Sequence, residues 1–595
     1  MSEKRYILGT NIERVEVDPV TLQVLGGAFR TISEEMGLVL YRMSYSSIIR
    51  ESEDLGAGIV DRRARQIAES ENSPMHAGTV GACIKGILSR WEEKDIHEGD
   101  IFIHNHPYHG ASHSPDVEII IPIFYKEELI AYSAINAHVS DVGAPSAGIA
   151  IKAQDVTAEA RQFYALKLYE NGERNEQLWR CILDNCRTPS MNANDYDALI
   201  AAAEHGRVRF LELIDKYGLE IVFSAEEEWF DYTERVLRAE ISKAKDGVYY
   251  SESYLDDDGI NLGVPLKIAT TVTIKGDEIT VDLTGSADEV YSACNVPFEG
   301  STVPAINTII HSLFLDADKF GEYVPQNEGL ERPLHIIAPK GCLFNPNYPR
   351  ACYARFNQVN RLADTIMNAL ADAMPMNVAA GCSADLHYFV YNGFDKKAKE
   401  YWLYAEVTEG SYGGRYGKDG MDTVDCLVAN TRNMPIEESE WHYPLRIERY
   451  GLRPQPAAPG KWRGGIGVIR ETTYLSDGFC GCEGDGHLNN PKGIFGGNTG
   501  KASTLVKNPG KDNEEILPSK FESIIMKAGD SIEVQSPNSG GYGNPLEREP
   551  DMVLSDILDG FATREQAEND YCVVIDYDNM TVDYEATMEL RASKM

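Results

Sequence analysis

Behind Asp18-Pro19, the apolar residues Leu22, Leu25, Phe29, Ile32, Met36, Leu40 and Met43 recur at steps of three and four. That spacing predicts an amphipathic helix capped by Asp18, with Pro19 in the first turn where a missing N–H is tolerated. The helix delivers the chain to residues 44–54. The pattern then shortens into β-type runs, IFIH (101–104), VEIIIPIF (117–124) and LIAYSAINAH (129–138), with polar residues crowded between the first two. Such connections are where chemistry tends to sit. Helical spacing returns from about 192 to 245, through Leu199, Phe210, Leu213 and Ile214, then Trp229, Val236 and Leu237. VTIKGDEITVDLTG (272–285) alternates around Lys275-Gly276-Asp277 and predicts a hairpin, followed by helical stretches near 302–315 and 359–374. Beyond about 380, SYGGRYGKDG (411–420), GKWRGGIGVIRE (460–471), GIFGGNTGK (493–501) and NSGGYGNP (538–545) mark a turn-dense, β-rich unit closed by a helix near 551–571.

At 595 residues the chain exceeds what one core sustains, roughly 250–300 residues. The expected fold class is mixed α/β (α+β) and multi-domain. Three units are expected: an N-terminal unit over 1–225, a middle α/β unit over 226–380 and a glycine-rich β unit over 381–595. A formal charge of −37 repels phosphate backbones and anionic membranes, which argues against a nucleic-acid partner or a membrane surface. No signal-peptide stretch and no run of roughly 20 apolar residues appears, so the expected location is cytoplasmic. The 11 cysteines are scattered, and neither Cys181/Cys186 nor Cys480-Gly-Cys482 has a matching second pair, so reduced and mostly buried thiols are expected.

The densest group of potential ligands is HNHPYHGASHSPD (104–116), which places four of the 13 histidines within ten residues. AHVSD (137–141) follows after a strand pair. His113 and Asp116 lie three apart in a turn, and His138 ends the strand returning from the hairpin, so all three can meet at one end of a sheet. Asp54, in RESEDLGAG (50–58), is the candidate fourth ligand. Imidazole nitrogens with carboxylate oxygens suit Zn²⁺ or Mn²⁺, with Fe²⁺ as an alternative. The plainer reading makes these histidines caps for loop backbone, a role assigned here to His104, His106 and His109. GIFGGNTGK is not a phosphate loop, because a Walker spacing needs glycine at 495 and that residue is Phe495. No Gly-x-Ser-x-Gly elbow supports a serine nucleophile.

DPVTLQVLGGAFRTISEEMG (18–37), SYSSIIRESEDLGAGIVD (44–61), NHPYHGASHSPD (105–116), HVSDVGAPSAG (138–148), NEGLERPLHIIAPKGCLFNPNYPRA (327–351), WRGGIGVIRE (462–471) and GGYGNPLEREPDMVLSDILDG (540–560) stand in this order along the chain. In these blocks, from Asp18 to about Asp576, the sequence resembles the hydantoinase B/oxoprolinase family. The resemblance implies a metal-binding subunit that works with a hydantoinase A-type, actin-like ATPase subunit. There the partner uses ATP to phosphorylate a substrate oxygen, and this subunit opens a hydantoin, 5-oxoproline or lactam ring. It implies Asp54, His113, Asp116 and His138 as metal ligands, Asp141 as a proton-handling group, and a dimer of heteromers. Acetone and acetophenone carboxylases belong to the same family, so ketone carboxylation with a small third subunit is the alternative activity. A scaffold subunit with a structural metal is another. Two blocks depart from the family pattern: His106 stands where many members have aspartate, and Pro454–Gly460 stands where amidohydrolase members often carry Asp-Ser-Gly-Gly.

Overall fold

The computed structural model describes residue 7 and residues 10–594, apart from 317–319, 321–323 and 382–385. The first helix forms as its spacing predicts. Helix α1 (Pro19–Met43) begins at Asp18, whose carboxylate accepts the N–H groups of Val20 and Thr21 at 3.1 and 3.0 Å. Leu25, Phe29, Ile32, Met36 and Leu40 are buried, while Met43 at its end is 48% exposed.

The sheet beneath it has seven strands, β1 (Leu55–Asp61), β2 (Gln66–Glu69), β3 (Ile101–His104), β4 (Asp116–Tyr125), β5 (Glu128–His138), β6 (Leu166–Glu170) and β7 (Glu173–Arg174), in the order β2-β1-β5-β4-β3-β6-β7. Every pairing is antiparallel. α1 packs with the later helix 189–217 over one face, where Phe29 meets Phe210. The other face is covered by helix 80–88, whose Val80, Ile84 and Ile87 pack on Phe102, Ile120 and Tyr132. With both faces covered, β4 and β5 read as continuous apolar runs rather than as alternations.

A short helix, α2 (Pro74–Ala77), crosses β1 at its start. The approach requires glycine: a Cβ on Gly56 would stand 2.3 Å from the Ala77 nitrogen and 2.6 Å from the His76 carbonyl carbon. The predicted helical region is two helices, α3 (Pro189–Tyr217) and α4 (Leu219–Ile241), separated at Gly218. Next come β8 (Gly247–Leu255), β9 (Leu266–Lys275), β10 (Glu278–Asp282) and β11 (Leu334–Ile337), ordered β11-β10-β9-β8. The expected hairpin joins β9 and β10 with Lys275 opposite Glu278. Helix α5 (Phe356–Leu370) packs on β8 and β9.

The glycine-dense part contains two larger antiparallel sheets, besides a two-stranded one of Val574–Asp576 with Thr581–Asp583. One pairs β12 (His387–Asp395), β13 (Glu400–Thr408), β16 (Gly478–Glu483) and β19 (Lys520–Met526); the other pairs β14 (Leu445–Leu452), β15 (Val468–Tyr474), β17 (Thr504–Lys507), β18 (Glu515–Ile516) and β20 (Ser531–Gln535). Tyr391, Tyr404, Tyr474, Cys480, Ile532 and Val534 form the core they share. The glycine loops pack backbone on backbone, so that a Cβ on Gly497 would lie 2.0 Å from the Gly541 oxygen. The N–H groups of Ile494, Gly497, Asn498, Gly500 and Lys501 all donate to backbone carbonyls, so these five are committed to the fold. The single helix expected over 551–571 is two, Pro550–Leu558 and Arg564–Asn569, interrupted at Gly560 with φ +80° and restarted by a Thr563/Gln566 capping box.

Residue 225 falls inside α4, and one contiguous cluster of buried apolar side chains runs from Ile7 to Ala429. We propose the three-unit division as a topological one, in which the first two units and the start of the third share a core. The ten described cysteines are free thiols, mostly buried, with Cys181 exposed; Cys382 lies outside the described residues. No described helix is long and apolar enough to cross a membrane.

Replacing Gly56 with alanine forces α2 away from β1, and overpacking of this kind costs about 1–3 kcal/mol. Thermal unfolding of Gly56→Ala should show a lowered Tm, and an unchanged Tm would mean that α2 retreats freely.

Candidate metal centre

Three strand ends converge at one edge of the first sheet. Asp116 opens β4 and His138 closes β5, and the two are register partners. Leu55, the first residue of β1, pairs with Ala137, and the His138 N–H donates to the Asp54 carbonyl at 3.1 Å. Asp54 is thereby fixed beside His138. His113 reaches the same point from the turn before β4, where the Asp116 N–H donates to its carbonyl. The ligand atoms of His113, Asp116 and His138 lie within 4.8 Å of one another, and all three residues are buried.

Each ring is oriented by its outer nitrogen. His113 Nδ1 donates to the Tyr353 carbonyl at 2.7 Å, which turns Nε2 toward Asp116 Oδ1 at 2.9 Å. Burial and the neighbouring Arg355 push the His113 pKa down to about 4, against the pull of Asp116, so the ring is neutral near pH 7. Its Nε2 lone pair therefore faces a carboxylate oxygen with no proton between them. Two acceptors held in that way call for a cation. His138 Nε2 meets the Tyr388 hydroxyl at 3.3 Å, leaving Nδ1 facing Asp116 Oδ1 at 3.4 Å and Asp54 Oδ2 at 3.9 Å. Imidazoles anchored through the second nitrogen are the usual arrangement around a bound metal.

Asp116 divides its oxygens. Oδ2 takes Ser112 Oγ and Arg355 Nη2, the latter at 3.2 Å, while Oδ1 faces the histidines. Burial opposes its ionisation, but His113 and His76 hold its pKa well below the usual carboxylate range. Burial also opposes ionisation of Asp54, which His76 and His138 hold low. Two imidazole nitrogens and two carboxylate oxygens gathered in this way could hold a metal ion.

His76 has no partner within reach in the sequence, and only the fold reveals it. It lies on α2, with Nε2 2.8 Å from Asp54 Oδ1 and 3.7 Å from Asp116 Oδ1. Nδ1 donates to Asn136 Oδ1, because the Asn136 amide nitrogen is committed to the His76 carbonyl, Thr79 and Glu118. Burial lowers the His76 pKa, but Asp116 and Asp54 overcome this and hold it at about 9. Arg355, Tyr353, Tyr388 and Glu483 were equally invisible, each a lone residue in a block far from the histidine cluster.

Asp141 stands apart from these groups. Its side chain is fully buried and both oxygens are engaged: Oδ1 accepts from the Gly143 N–H and Arg187 Nη1, and Oδ2 from the Arg187 N–H. The remaining loop histidines hold backbone. His104 binds the His109 carbonyl and the Ala165 N–H, and His109 stacks on Tyr164. His106 accepts the Tyr108 N–H at 3.3 Å, the capping contact that an aspartate makes at such a position.

The cluster opens into a narrow cavity of about 40 Å³ between the first sheet, the start of α5 and the sheet containing β12. Met75, Phe356, Leu386, Val407 and Ala429 give it apolar walls; Arg355, Tyr388 and Glu483 are polar groups on its surface.

Residues 18–545 match the profile of the hydantoinase B/oxoprolinase family. The chain belongs to that family. It is 46% identical over 97% of its length, and 98% of the relative's, to the B-type subunit of a putative D-/L-hydantoinase from Pseudomonas sp. (strain NS671). To the beta chain of the caprolactamase of Pseudomonas jessenii it is 30% identical, covering 97% of this chain and 99% of that one. The crystal structure of the ATP-dependent caprolactamase of that organism superposes with a TM-score of 0.86 at 27% identity, over 97% of this chain and 100% of the other. A nucleotide-free acetone carboxylase shares the fold, with a TM-score of 0.87 at 20% identity over 97% of this chain and 83% of that one.

His113→Ala and Asp116→Ala should each lose the metal, read by elemental analysis of the purified complex, and lose turnover while the subunits stay assembled. Wild-type turnover by a metal-free His113→Ala complex would contradict a catalytic role for the ion.

Proposed function

We propose that this chain is the metal-binding subunit of a heteromeric ATP-dependent amidohydrolase. On this reading a partner ATPase subunit phosphorylates a cyclic amide or imide of the hydantoin, oxoproline or lactam type, and the ring opens in the cavity described above. One observation carries it: a buried set of inward-facing His and Asp side chains stands at a cavity with apolar walls and a few polar groups. The full-length likeness to a putative hydantoinase subunit and to a caprolactamase subunit supports the choice of bond.

A divalent ion held by Asp54, His113, Asp116 and His138 would supply Lewis acidity for activating water and polarising the activated carbon. The protein's own groups prepare that chemistry. Tyr353 and Tyr388 fix the two imidazoles, so that neither ring has to reorient during turnover. Arg355 binds the outer oxygen of Asp116 and leaves the inner one free. Met75, Phe356, Leu386 and Val407 exclude bulk water, which strengthens every polar contact inside. Asp141, bound to Arg187, holds the loop that follows His138. An amide is a poor electrophile near neutral pH, and phosphorylation of its oxygen explains the need for ATP. We place that ATP at the partner subunit, the division of labour that the family resemblance implies.

The test is turnover by the chain purified together with its ATPase partner. Hydantoins and lactams are offered in one series, and ketones with radiolabelled bicarbonate in another, each with and without ATP. ATP-dependent ring opening without label uptake is expected. ATP-dependent fixation of label would replace this reading with ketone carboxylation, and turnover that survives removal of the metal would favour a scaffold role for the ion.

A further inference from the structure

Ring opening moves protons, and the ligand carboxylates Asp54 and Asp116 are committed to the metal centre. Asp141 has no free oxygen. Three other buried carboxylates lie nearby. Glu159 gives one oxygen to Ser114 and the other to the N–H groups of Cys352 and Tyr353. Glu118 is held by Asn136 inside the sheet and does not line the cavity. Glu483 does.

Glu483 ends β16, with Tyr388 of β12 directly opposite, and Tyr388 in turn faces Val407 of β13. Directly opposed residues in antiparallel strands point to the same face, so Val407, Tyr388 and Glu483 form one row across the sheet. All three line the cavity, and Tyr388 in the middle of the row touches His138. Glu483 is 5% exposed, and its Oε1 has no hydrogen-bond partner. A buried oxygen left unsatisfied is costly, about 1–3 kcal/mol, and is a feature to be expected where a ligand completes the contact. The Phe356 N–H at the start of α5 favours its ionised form.

We propose that Glu483 is the proton-transfer residue of ring opening, positioned to touch the substrate beside the metal centre. The inference rests on the amide-hydrolase reading. Take the activated substrate as an O-phosphoryl imidate with a C=N bond. The oxygen of water forms a new C–O bond, and Glu483 takes one of its protons and passes it to the ring nitrogen. The second proton of the same water follows as the C–N bond breaks and its electron pair stays on nitrogen. An amine and an acyl phosphate result, and a second water splits the acyl phosphate to carboxylate and inorganic phosphate.

The surroundings suit a group that must both accept and release a proton. Burial pushes the Glu483 carboxyl up to about 7, against the opposing pull of Arg355, the Phe356 N–H and Lys520. The other groups facing it are Tyr353, Tyr388 and the Cys294 and Cys482 thiols. Lys520, its neighbour on β19, is itself paired with Asp485.

The experiment uses the complete complex, with a hydantoin, 5-oxoproline and caprolactam as probes. Wild type, Glu483→Gln and Glu483→Ala are compared for ring opening, for metal content and for ADP formation in a single turnover. In Glu483→Gln, kcat for ring opening should fall by about a hundredfold or more, the scale of a lost general acid–base, with KM, metal content and single-turnover ADP formation retained. Formate should restore part of the activity of Glu483→Ala, a rescue that a purely structural residue would not show. Wild-type ring opening by Glu483→Gln, or loss of metal or assembly in both variants, would overturn the assignment while leaving the amide-hydrolase reading intact. A wild-type complex that opens none of the rings would remove that reading, and this inference with it.

Discussion

Two carboxylates, Asp54 and Asp116, are buried at the same end of one sheet, and their charge has to be answered there. A buried charge without a partner destabilises a fold by several kcal/mol. Here the response comes from His76 on one side, Arg355 on another, and the imidazoles of His113 and His138, each with one nitrogen facing Asp116. The protein side chains satisfy the outer oxygens and leave the inner ones facing acceptors. That imbalance is what a divalent cation would correct, and on the proposed reading the surrounding structure is arranged to preserve it.

The arrangement depends on parts of the chain that are distant in sequence. Strand register brings Asp54, Asp116 and His138 together, and the absence of a side chain at Gly56 lets α2 press His76 into place. The Tyr353 carbonyl and Arg355 arrive at the entry to α5, and Tyr388 comes from the sheet of the glycine-rich part. The cavity therefore lies where these parts meet, which on the proposed reading suits the exclusion of water around an activated intermediate. The parts that meet there also share one core, so the site is clamped from several directions.

Local signals in the sequence were sufficient where the cause was local. The Asp18 cap, the β9–β10 turn and the strand pair bringing His113, Asp116 and His138 together all follow from spacing. The interruption at Gly560 was also written in the chain, as a glycine followed by Thr563 and Gln566 at capping-box spacing, though the apolar pattern alone suggests one helix. His76, Arg355, Tyr388 and Glu483 carry no such signal, because each acquires its neighbours only through long-range packing. Asp141, three residues after His138, combines both kinds of cause: its bond to the Gly143 N–H is local, whereas those to Arg187 come from 46 residues further on.

The most direct measurement is anomalous diffraction from crystals of the assembled complex, recorded at the absorption edges of zinc, manganese and iron. The account predicts one peak bounded by Asp54, His113 Nε2, Asp116 Oδ1 and His138 Nδ1, within the cavity that Glu483 lines. A metal-replete, active complex with no anomalous density at that position would contradict it.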